Sequence, residues 1–212
     1  CALPHRPSPL PVCFRQFLNL LIYSLIIINR FSMAYGGEKA VAIYACIAYI
    51  ICIIYLILQG VGDGSQPLIS QHYGRKNFDQ LKNIRKLAYG FAILLSLVSC
   101  VIMYMTREKI GILFGASHEV NTEIAKIIPV FLVSVPFVAV NRITTAAFYA
   151  TEKSMFSYIL TFIEPFFMLV LMLILPPLFG GQIMIWWSTV FARILSALLA
   201  VILKQYADKR EF

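Results

Sequence analysis

Three charged side chains interrupt long apolar stretches of this sequence: Glu164, Arg142 and Arg193. A charge inside the apolar part of a bilayer costs roughly 2.5 to 3.5 kcal/mol even on lenient scales, so such residues usually serve a function. Glu164 is followed by Pro165, which removes a backbone donor and frees a nearby carbonyl. Glu164 is therefore a candidate for binding and releasing a proton. The structural interpretation is favoured over this one: in it, Glu164 lies near the cytoplasmic edge or pairs with Arg142 or Arg193 and ties helices together.

Amide and aromatic side chains also fall within the apolar stretches, among them Asn29, Tyr23 and Tyr49. Aromatic rings attract organic cations, so these residues could line a cavity for a cationic molecule together with Glu164. Asn and Tyr side chains also form hydrogen bonds between neighbouring membrane helices. Cavity lining and helix packing are therefore both open interpretations.

A glycine-rich segment containing Gly62, Asp63, Gly64 and Gln66 ends the second apolar stretch. Glycine permits backbone bends, and an Asp carboxylate can accept hydrogen bonds from exposed backbone amides. We predict that Asp63 caps or gates this end of the stretch, with ion binding as the alternative. The amide of Gln66 can join helices by hydrogen bonds.

The sequence lacks the motifs of common enzymes and metalloproteins. Its five cysteines form no Cys-x-x-Cys pair, and its three histidines show no metal-ligand spacing. It contains no Gly-x-x-x-x-Gly-Lys phosphate loop and no Gly-x-Ser-x-Gly nucleophile motif. We therefore predict neither catalysis, nor a bound metal, nor a cofactor.

The composition indicates a membrane protein. Hydrophobic residues make up 60% and charged residues 13% of the 212 residues, with a mean hydropathy of +0.80. Soluble domains are about half apolar and about a quarter charged. This chain therefore has too little polar surface to cover itself in water.

The apolar residues form six blocks, each close to the roughly 20 residues that a helix needs to cross a hydrocarbon core. The blocks are apolar at nearly every position, whereas strands of a membrane barrel alternate in polarity. The predicted fold is therefore an all-α integral membrane protein with six transmembrane helices. The predicted spans are residues 12–35, 40–61, 87–105, 124–149, 155–179 and 183–203.

Lysines and arginines in the loops and close to the ends of these spans are divided unevenly, with eleven on one side and four on the other. The richer side of a membrane protein faces the cytoplasm, which places both termini there. Because the charges lie at the edges of spans and not on one folded face, we predict no nucleic-acid binding.

Three segments flank or connect the spans. Residues 74–86 alternate apolar and basic residues at helical spacing, which predicts a short basic helix in the membrane interface, with a solvated loop as the alternative. Residues 1–11 are rich in proline and indicate a linker or a truncation remnant, and residues 204–212 form a predicted cytoplasmic tail.

Several short motifs, taken in order, resemble the second half of transporters of the multidrug and toxic compound extrusion (MATE) family. The resemblance extends over about residues 10–203 and rests on motifs at the ends of spans. They are Pro11, Phe14-Arg15-Gln16, Asn29, Tyr35-Gly36, Gly62-Asp63-Gly64-Ser65-Gln66-Pro67, His72-Tyr73-Gly74, Ala147-Phe148-Tyr149-Ala150-Thr151-Glu152-Lys153 and Pro176-Pro177-Leu178-Phe179-Gly180.

The resemblance implies that residues 12–203 form one six-span lobe of a twelve-helix, two-lobe transporter. It implies export of amphipathic cationic small molecules by alternating access, in antiport with protons or sodium. The implied partners are an N-terminal six-span lobe, membrane lipids and the cationic substrate. Glu164 departs from the family pattern, since many members carry Arg near this position. The alternatives are a flippase for lipid-linked precursors in the same superfamily and a non-transporting scaffold subunit.

Overall fold

The computed structural model describes the backbone of residues 10–211 and the side chains of residues 26–209. Within this part of the chain all regular structure is helical, which confirms the predicted all-α fold. The helices are α1 (Leu10–Gly74), α2 (Phe78–Thr106), α3 (Ile110–Leu113), α4 (His118–Leu132), α5 (Val135–Ala150), α6 (Ser154–Phe179) and α7 (Gln182–Glu211).

Helix α1 contains the first two predicted spans, and it breaks between them at Gly37. The backbone of Gly37 has φ 65° and ψ −164°, a conformation that is essentially restricted to glycine. We call the two parts the first arm (residues 10–36) and the second arm (residues 38–74) of α1. The second arm continues well beyond the predicted end at residue 61.

The second arm stays helical through its glycines, one of which lies in a helix contact. A Cβ atom on Gly62 would lie 3.4 Å from the Cβ of Ala146 in α5, an ordinary van der Waals distance, so α1 and α5 are packed against each other there. Pro67 also lies within the helix, where it removes one backbone hydrogen bond.

The basic residues 74–86 do not form a helix of their own, which corrects that prediction. Helix α2 begins at Phe78, where the side chain of Asn77 accepts a hydrogen bond from the backbone N–H of Gln80, and continues without a break through the third predicted span. Its buried face consists of Leu81, Arg85, Ala88, Ala92 and Ser96, a spacing of one helical turn.

The fourth predicted span, residues 124–149, is divided into α4 and α5, which meet at an angle of 45°. Pro136 has no N–H group to donate to the carbonyl oxygen of Leu132, the acceptor four residues earlier. The thiol of Cys100 in α2 donates to that carbonyl oxygen instead, at 3.5 Å. A neighbouring helix therefore supplies the hydrogen bond that the proline removes.

Helix α6 matches the fifth predicted span, and α7 contains the sixth span but continues to Glu211. The predicted cytoplasmic tail, residues 204–212, is helical over residues 204–211. Asp208 in this extension accepts two hydrogen bonds from the guanidinium of Arg85, at 2.9 and 3.0 Å. The contact joins the start of α2 to the end of α7.

Large apolar side chains cover the outside of the helices, as in a protein whose surroundings are lipid. Leu87 and Met105, for example, are 74% and 79% exposed. Among the residues with described side chains, four helices are long and apolar enough to cross a membrane, or five when α4 and α5 count as one span. The first predicted span, residues 12–35, lies mostly outside those residues. The chain is thus a multi-pass membrane protein.

Candidate functional site

A cavity of about 350 Å³ lies between α1, α5, α6 and α7. Both arms of α1 contribute to it, since Ile28 and Asn29 belong to the first arm and the aromatic wall to the second. Its volume falls within the range of small-molecule pockets, and its wall is mainly apolar with a few polar groups. The polar and aromatic lining residues are Asn29, Tyr44, Tyr49, Cys52, Tyr55, Asn141, Arg142, Thr145, Thr161, Glu164 and Arg193.

Glu164 of α6 and Arg193 of α7 form an ion pair in this cavity, with 3.7 Å between Oε1 and Nε. Their side chains are 18% and 10% exposed, so both are largely removed from solvent. The guanidinium carbon of Arg193 also lies 5.1 Å from the centre of the Tyr55 ring, within the range of a cation–π contact. The pairing that was predicted as the structural alternative for Glu164 is therefore present.

Asn141 of α5 extends this ion pair into a network that joins three helices. Its Nδ2 group donates to Oγ of Ser196 in α7 at 3.0 Å and lies 3.5 Å from Oε2 of Glu164. One amide thus contacts both α6 and α7, and it orients the carboxylate toward the cavity.

Ser134 lies at the break between α4 and α5 and belongs to the same hydrogen-bond network. Its hydroxyl donates to the carbonyl oxygen of Phe131 at 2.7 Å and accepts from Nη1 of Arg193 at 3.3 Å. The hydroxyl of Tyr55 lies 3.5 Å from it. A change in the charge of the Glu164–Arg193 pair can therefore act directly on the point where the span bends.

The cavity brings together five of the residues predicted for an ion or substrate site. Glu164, Arg142, Arg193, Asn29 and Tyr49 all line it. The sixth, Tyr23, lies in the first arm of α1, but its side chain is outside the described residues.

The glycine-rich segment lies away from the cavity, within the second arm of α1. The carboxylate of Asp63 accepts hydrogen bonds from the side-chain amides of Gln59 and Gln66, at 2.8 and 3.2 Å. Asp63 does not cap a helix end, because the helix continues to Gly74. Gly62 contacts α5, whereas Gly64 has no neighbour within 4 Å of the position of an added Cβ.

Sequence reasoning missed the two serines that complete the network, Ser134 and Ser196. Serine is common in membrane helices, so neither residue stands out as a charged residue does. A signal existed for Ser134, because it precedes Pro136 by two positions and follows Pro129 in the same predicted span. No comparable signal exists for Ser196.

Within the described residues, no group of three or more His, Cys, Asp or Glu side chains is placed to hold a metal ion. The cavity offers a ligand one carboxylate, two guanidinium groups and several aromatic rings. Charged groups deep in a helical bundle, facing a cavity, are typical of a membrane transporter.

Comparison with known proteins agrees with this class. The family model described as MatE matches residues 11–174, and the chain belongs to this family. A search of curated protein sequences finds no match.

Several solved transporter structures share the fold. A MOP superfamily transporter from Pyrococcus furiosus, described as having a binding pocket of reverse polarity, is 16% identical with a TM-score of 0.85, over 92% of this chain and 44% of that chain. A multidrug resistance MATE family transporter in an outward-facing conformation is also 16% identical, with a TM-score of 0.83, over 92% of this chain and 43% of that chain. An inward-facing structure of a multidrug resistance MATE family transporter is 16% identical with a TM-score of 0.78, over 89% of this chain and 45% of that chain. The chain thus spans less than half the length of the structures it matches.

Proposed function

We propose that this chain forms one lobe of a secondary transporter that exports amphipathic small molecules in antiport with protons or sodium. The observation that carries the proposal is the cavity that contains the Glu164–Arg193 pair. A single carboxylate that faces both an arginine and a cavity can bind an ion from the cavity. Its ion pair with the arginine then weakens. The partner is a second six-span lobe, which moves against this one so that the cavity opens to each side of the membrane in turn.

Glu164 is the coupling residue in this proposal. When its carboxylate is charged it pairs with Arg193 and accepts from Asn141. When it binds a proton or sodium ion, its attraction for Arg193 weakens. Arg193 also donates a hydrogen bond to Ser134, at the break between α4 and α5. A change in the pairing of Arg193 on ion binding therefore favours a different angle between these two helices. This sequence of contacts gives the ion a physical means of changing the lobe.

The aromatic wall indicates the class of cargo. Tyr44, Tyr49 and Tyr55 offer ring faces and hydroxyls to an amphipathic molecule, and organic cations bind well to such faces. Arg142 and Arg193 outnumber Glu164, however, so the described wall carries net positive charge. A cationic cargo therefore needs a carboxylate from the partner lobe.

The same excess of arginine supports a second candidate, a flippase that moves anionic lipid-linked precursors. The two functions differ in the charge of the ligand that competes for the cavity. Transport inhibited by hydrophobic cations but not by hydrophobic anions of the same size favours the exporter. The reverse pattern favours the flippase.

In the proposed placement, the cell (inner) membrane surrounds the helices and both termini face the cytoplasm. Membrane lipids contact the exposed apolar side chains. Asp63 and Gln66, linked by their hydrogen bond, lie toward the cytoplasmic end of the second arm of α1 and gate access there. Gly62 and Gly64 let this part of the helix bend during gating.

Glu164→Gln in the complete transporter tests the proposal. The substitution keeps the size of the side chain and one acceptor oxygen but removes the ionisable group, so efflux should lose its dependence on the proton or sodium gradient while membrane insertion is unchanged. Glu108→Gln, an exposed carboxylate outside the cavity, is the matched control and should transport normally. Normal gradient-dependent efflux by Glu164→Gln would remove this residue from coupling.

A further inference from the structure

A second, shallow pocket lies at the end of the lobe where α2 begins and α7 ends, and it shares no lining residue with the cavity. Arg85 and Tyr89 of α2 face Lys204 and Asp208 of α7 across it, and Lys153, the residue before α6, completes the wall. Its enclosed volume is about 10 Å³, which is room for about one water-sized group. Three cationic side chains and one carboxylate line this pocket, so it attracts anions.

Most polar groups of the pocket already bind one another. Both carboxylate oxygens of Asp208 accept hydrogen bonds from the guanidinium of Arg85, at 2.9 and 3.0 Å. The hydroxyl of Tyr89 lies 2.8 Å from Oγ1 of Thr144. The single carboxylate of the pocket is therefore engaged by Arg85 and does not neutralise the remaining cations.

Lys204 is the exception. Its Nζ lies 4.2 Å from the centre of the Tyr89 ring, a cation–π contact that leaves the hydrogen-bond donors of the ammonium unused. These three N–H donors have no acceptor among residues 26–209, although the side chain is half-buried. A charged group that is partly removed from water is costly unless a counter-charge or an acceptor faces it. The pocket thus presents an ammonium group to a ligand with an acceptor oxygen.

The position of the pocket indicates where that oxygen comes from. Leu87, two residues after Arg85 in α2, is 74% exposed, and so is Met155, two residues after Lys153. Lys204 directly follows the last predicted apolar span. The pocket therefore lies where the apolar outer surface of the helices gives way to basic residues. Lipid phosphates lie at this level of a bilayer, and basic pockets between helices near the membrane surface bind them.

We propose that this pocket binds the phosphate of an anionic phospholipid. One phosphate oxygen occupies the enclosed volume and accepts a hydrogen bond from the ammonium of Lys204. The other oxygens stay at the mouth of the pocket, in the positive field of its wall, and the acyl chains lie along the apolar outer faces of α2 and α6. The bound lipid joins the start of α2 to the end of α7, and this inference does not depend on the proposed transport function.

Thermal unfolding of the complete transporter in detergent tests the proposal, with phosphatidylglycerol as the probe. Its addition should raise the unfolding midpoint, because a ligand that binds the folded state stabilises it. Phosphatidylcholine, whose choline cation neutralises its phosphate, should have little effect. Sodium phosphate at matched ionic strength should also have little effect, since a free phosphate ion gains nothing from the apolar faces beside the pocket.

Substitutions of Lys204 locate the effect. Lys204→Gln should need several-fold more phosphatidylglycerol for the same rise in midpoint, whereas Lys204→Arg keeps the charge and the donors and should behave like the original protein. Lys209→Gln is the matched control, because it removes one charge from an exposed position of the same helix that does not line the pocket.

Equal effects of Lys204→Gln and Lys209→Gln would overturn the proposal, since a general attraction of lipid to a basic surface would then explain the binding. An equal rise with sodium phosphate would overturn it in favour of a free phosphate ion. If Lys204→Gln fails to fold, acetylation of the unmodified protein decides: phosphatidylglycerol should protect Lys204 but not Lys209, and unchanged acetylation of Lys204 would contradict the site. None of these measurements involves transport, so their outcome is independent of the Glu164→Gln result.

Discussion

At the scale of single residues, charge in an apolar stretch was the strongest signal in the sequence. Glu164, Arg142 and Arg193 were all predicted from it, and all three line one cavity. The rule works because lipid penalises an unpaired charge, so a retained charge has a partner or faces water. Hydrogen-bonding residues that carry no charge were harder to place. Ser196 binds Asn141 in the centre of the network, but nothing in its local sequence distinguishes it from other serines.

Asn141→Ala should weaken the joint between α5, α6 and α7. The substitution removes the hydrogen bond to Ser196 and the contact with Glu164, and hydrogen bonds between membrane helices are worth about 0.6 kcal/mol on average and about 1.7 at most. We expect a lower midpoint of thermal unfolding in detergent. Thr161→Ala is the control, because the hydroxyl of Thr161 donates to the carbonyl oxygen of Ser157 in its own helix and has no other hydrogen-bond partner among residues 26–209. Equal midpoints for the two variants would contradict the assigned role of Asn141.

At the scale of helices, hydropathy located the spans but not their ends. An apolar block marks the part of a helix that lipid surrounds. The full length of the helix depends instead on its backbone hydrogen bonds and on its contacts with other helices. Helices α1, α2 and α7 all continue past the predicted limits for this reason, through residues 62–74, 78–86 and 204–211. The bend between α4 and α5 was also missed, although Pro136 stood in the predicted span. Apolar content alone cannot show whether a proline bends a membrane helix or is absorbed by it.

Gly37→Ala should destabilise the fold, because the break in α1 depends on a conformation open almost only to glycine. Such a conformation costs a residue with a side chain about 1 to 3 kcal/mol. Nothing lies within 4 Å of the position of an added Cβ, so the cost is one of backbone strain and not of a clash. Gly60→Ala is the matched control: that site is helical, exposed and equally open, and Ala is favoured over Gly there by about 0.5 to 1 kcal/mol. Thermal unfolding of both variants should show opposite shifts, and a neutral Gly37→Ala would refute the strain.

The contact between Arg85 and Asp208 makes a second prediction at this scale. Asp208→Asn leaves the buried guanidinium of Arg85 without its counter-charge. Breaking a buried pair costs about 3 to 5 kcal/mol, which we reduce to about 1 to 2 because the Asp208 side chain is 35% exposed. Lys86→Gln, an exposed neighbour in α2, should have little effect. A double-mutant cycle with Arg85→Gln measures the coupling, and additive effects would show that the pair contributes nothing.

At the scale of the whole molecule, the sequence motifs alone indicated the family. The match over residues 11–174 and the shared fold confirm that assignment. Short motifs succeed at this scale because each marks the end of a span, and the order of span ends defines a topology. In the proposed two-lobe transporter, the cargo and the coupling ion depend also on the charges that the second lobe contributes to the cavity. The sequence of a single lobe therefore could not predict them.

Labelling of single cysteines tests the proposed orientation of the whole chain. With the five native cysteines replaced by serine, Lys109→Cys should react with an impermeant thiol reagent added to intact cells. Lys86→Cys should react only after the membrane is permeabilised, because the basic start of α2 faces the cytoplasm. Both positions are exposed, so accessibility within the protein is matched. Reaction of Lys86→Cys with the reagent in intact cells would show that the chain has the opposite orientation.

Because α7 remains a single rod through Glu211, its far end reports what happens beside Arg193. Gln205 and Lys209 are exposed and one turn apart, which suits a rigid dye clamped between two engineered thiols. Polarised emission from such a dye would follow the tilt of α7 in single molecules during each turnover, without a fluorophore in the cavity. Because α7 extends beyond the predicted span, a change in its tilt beside Arg193 can be measured with a dye that lies outside the bilayer.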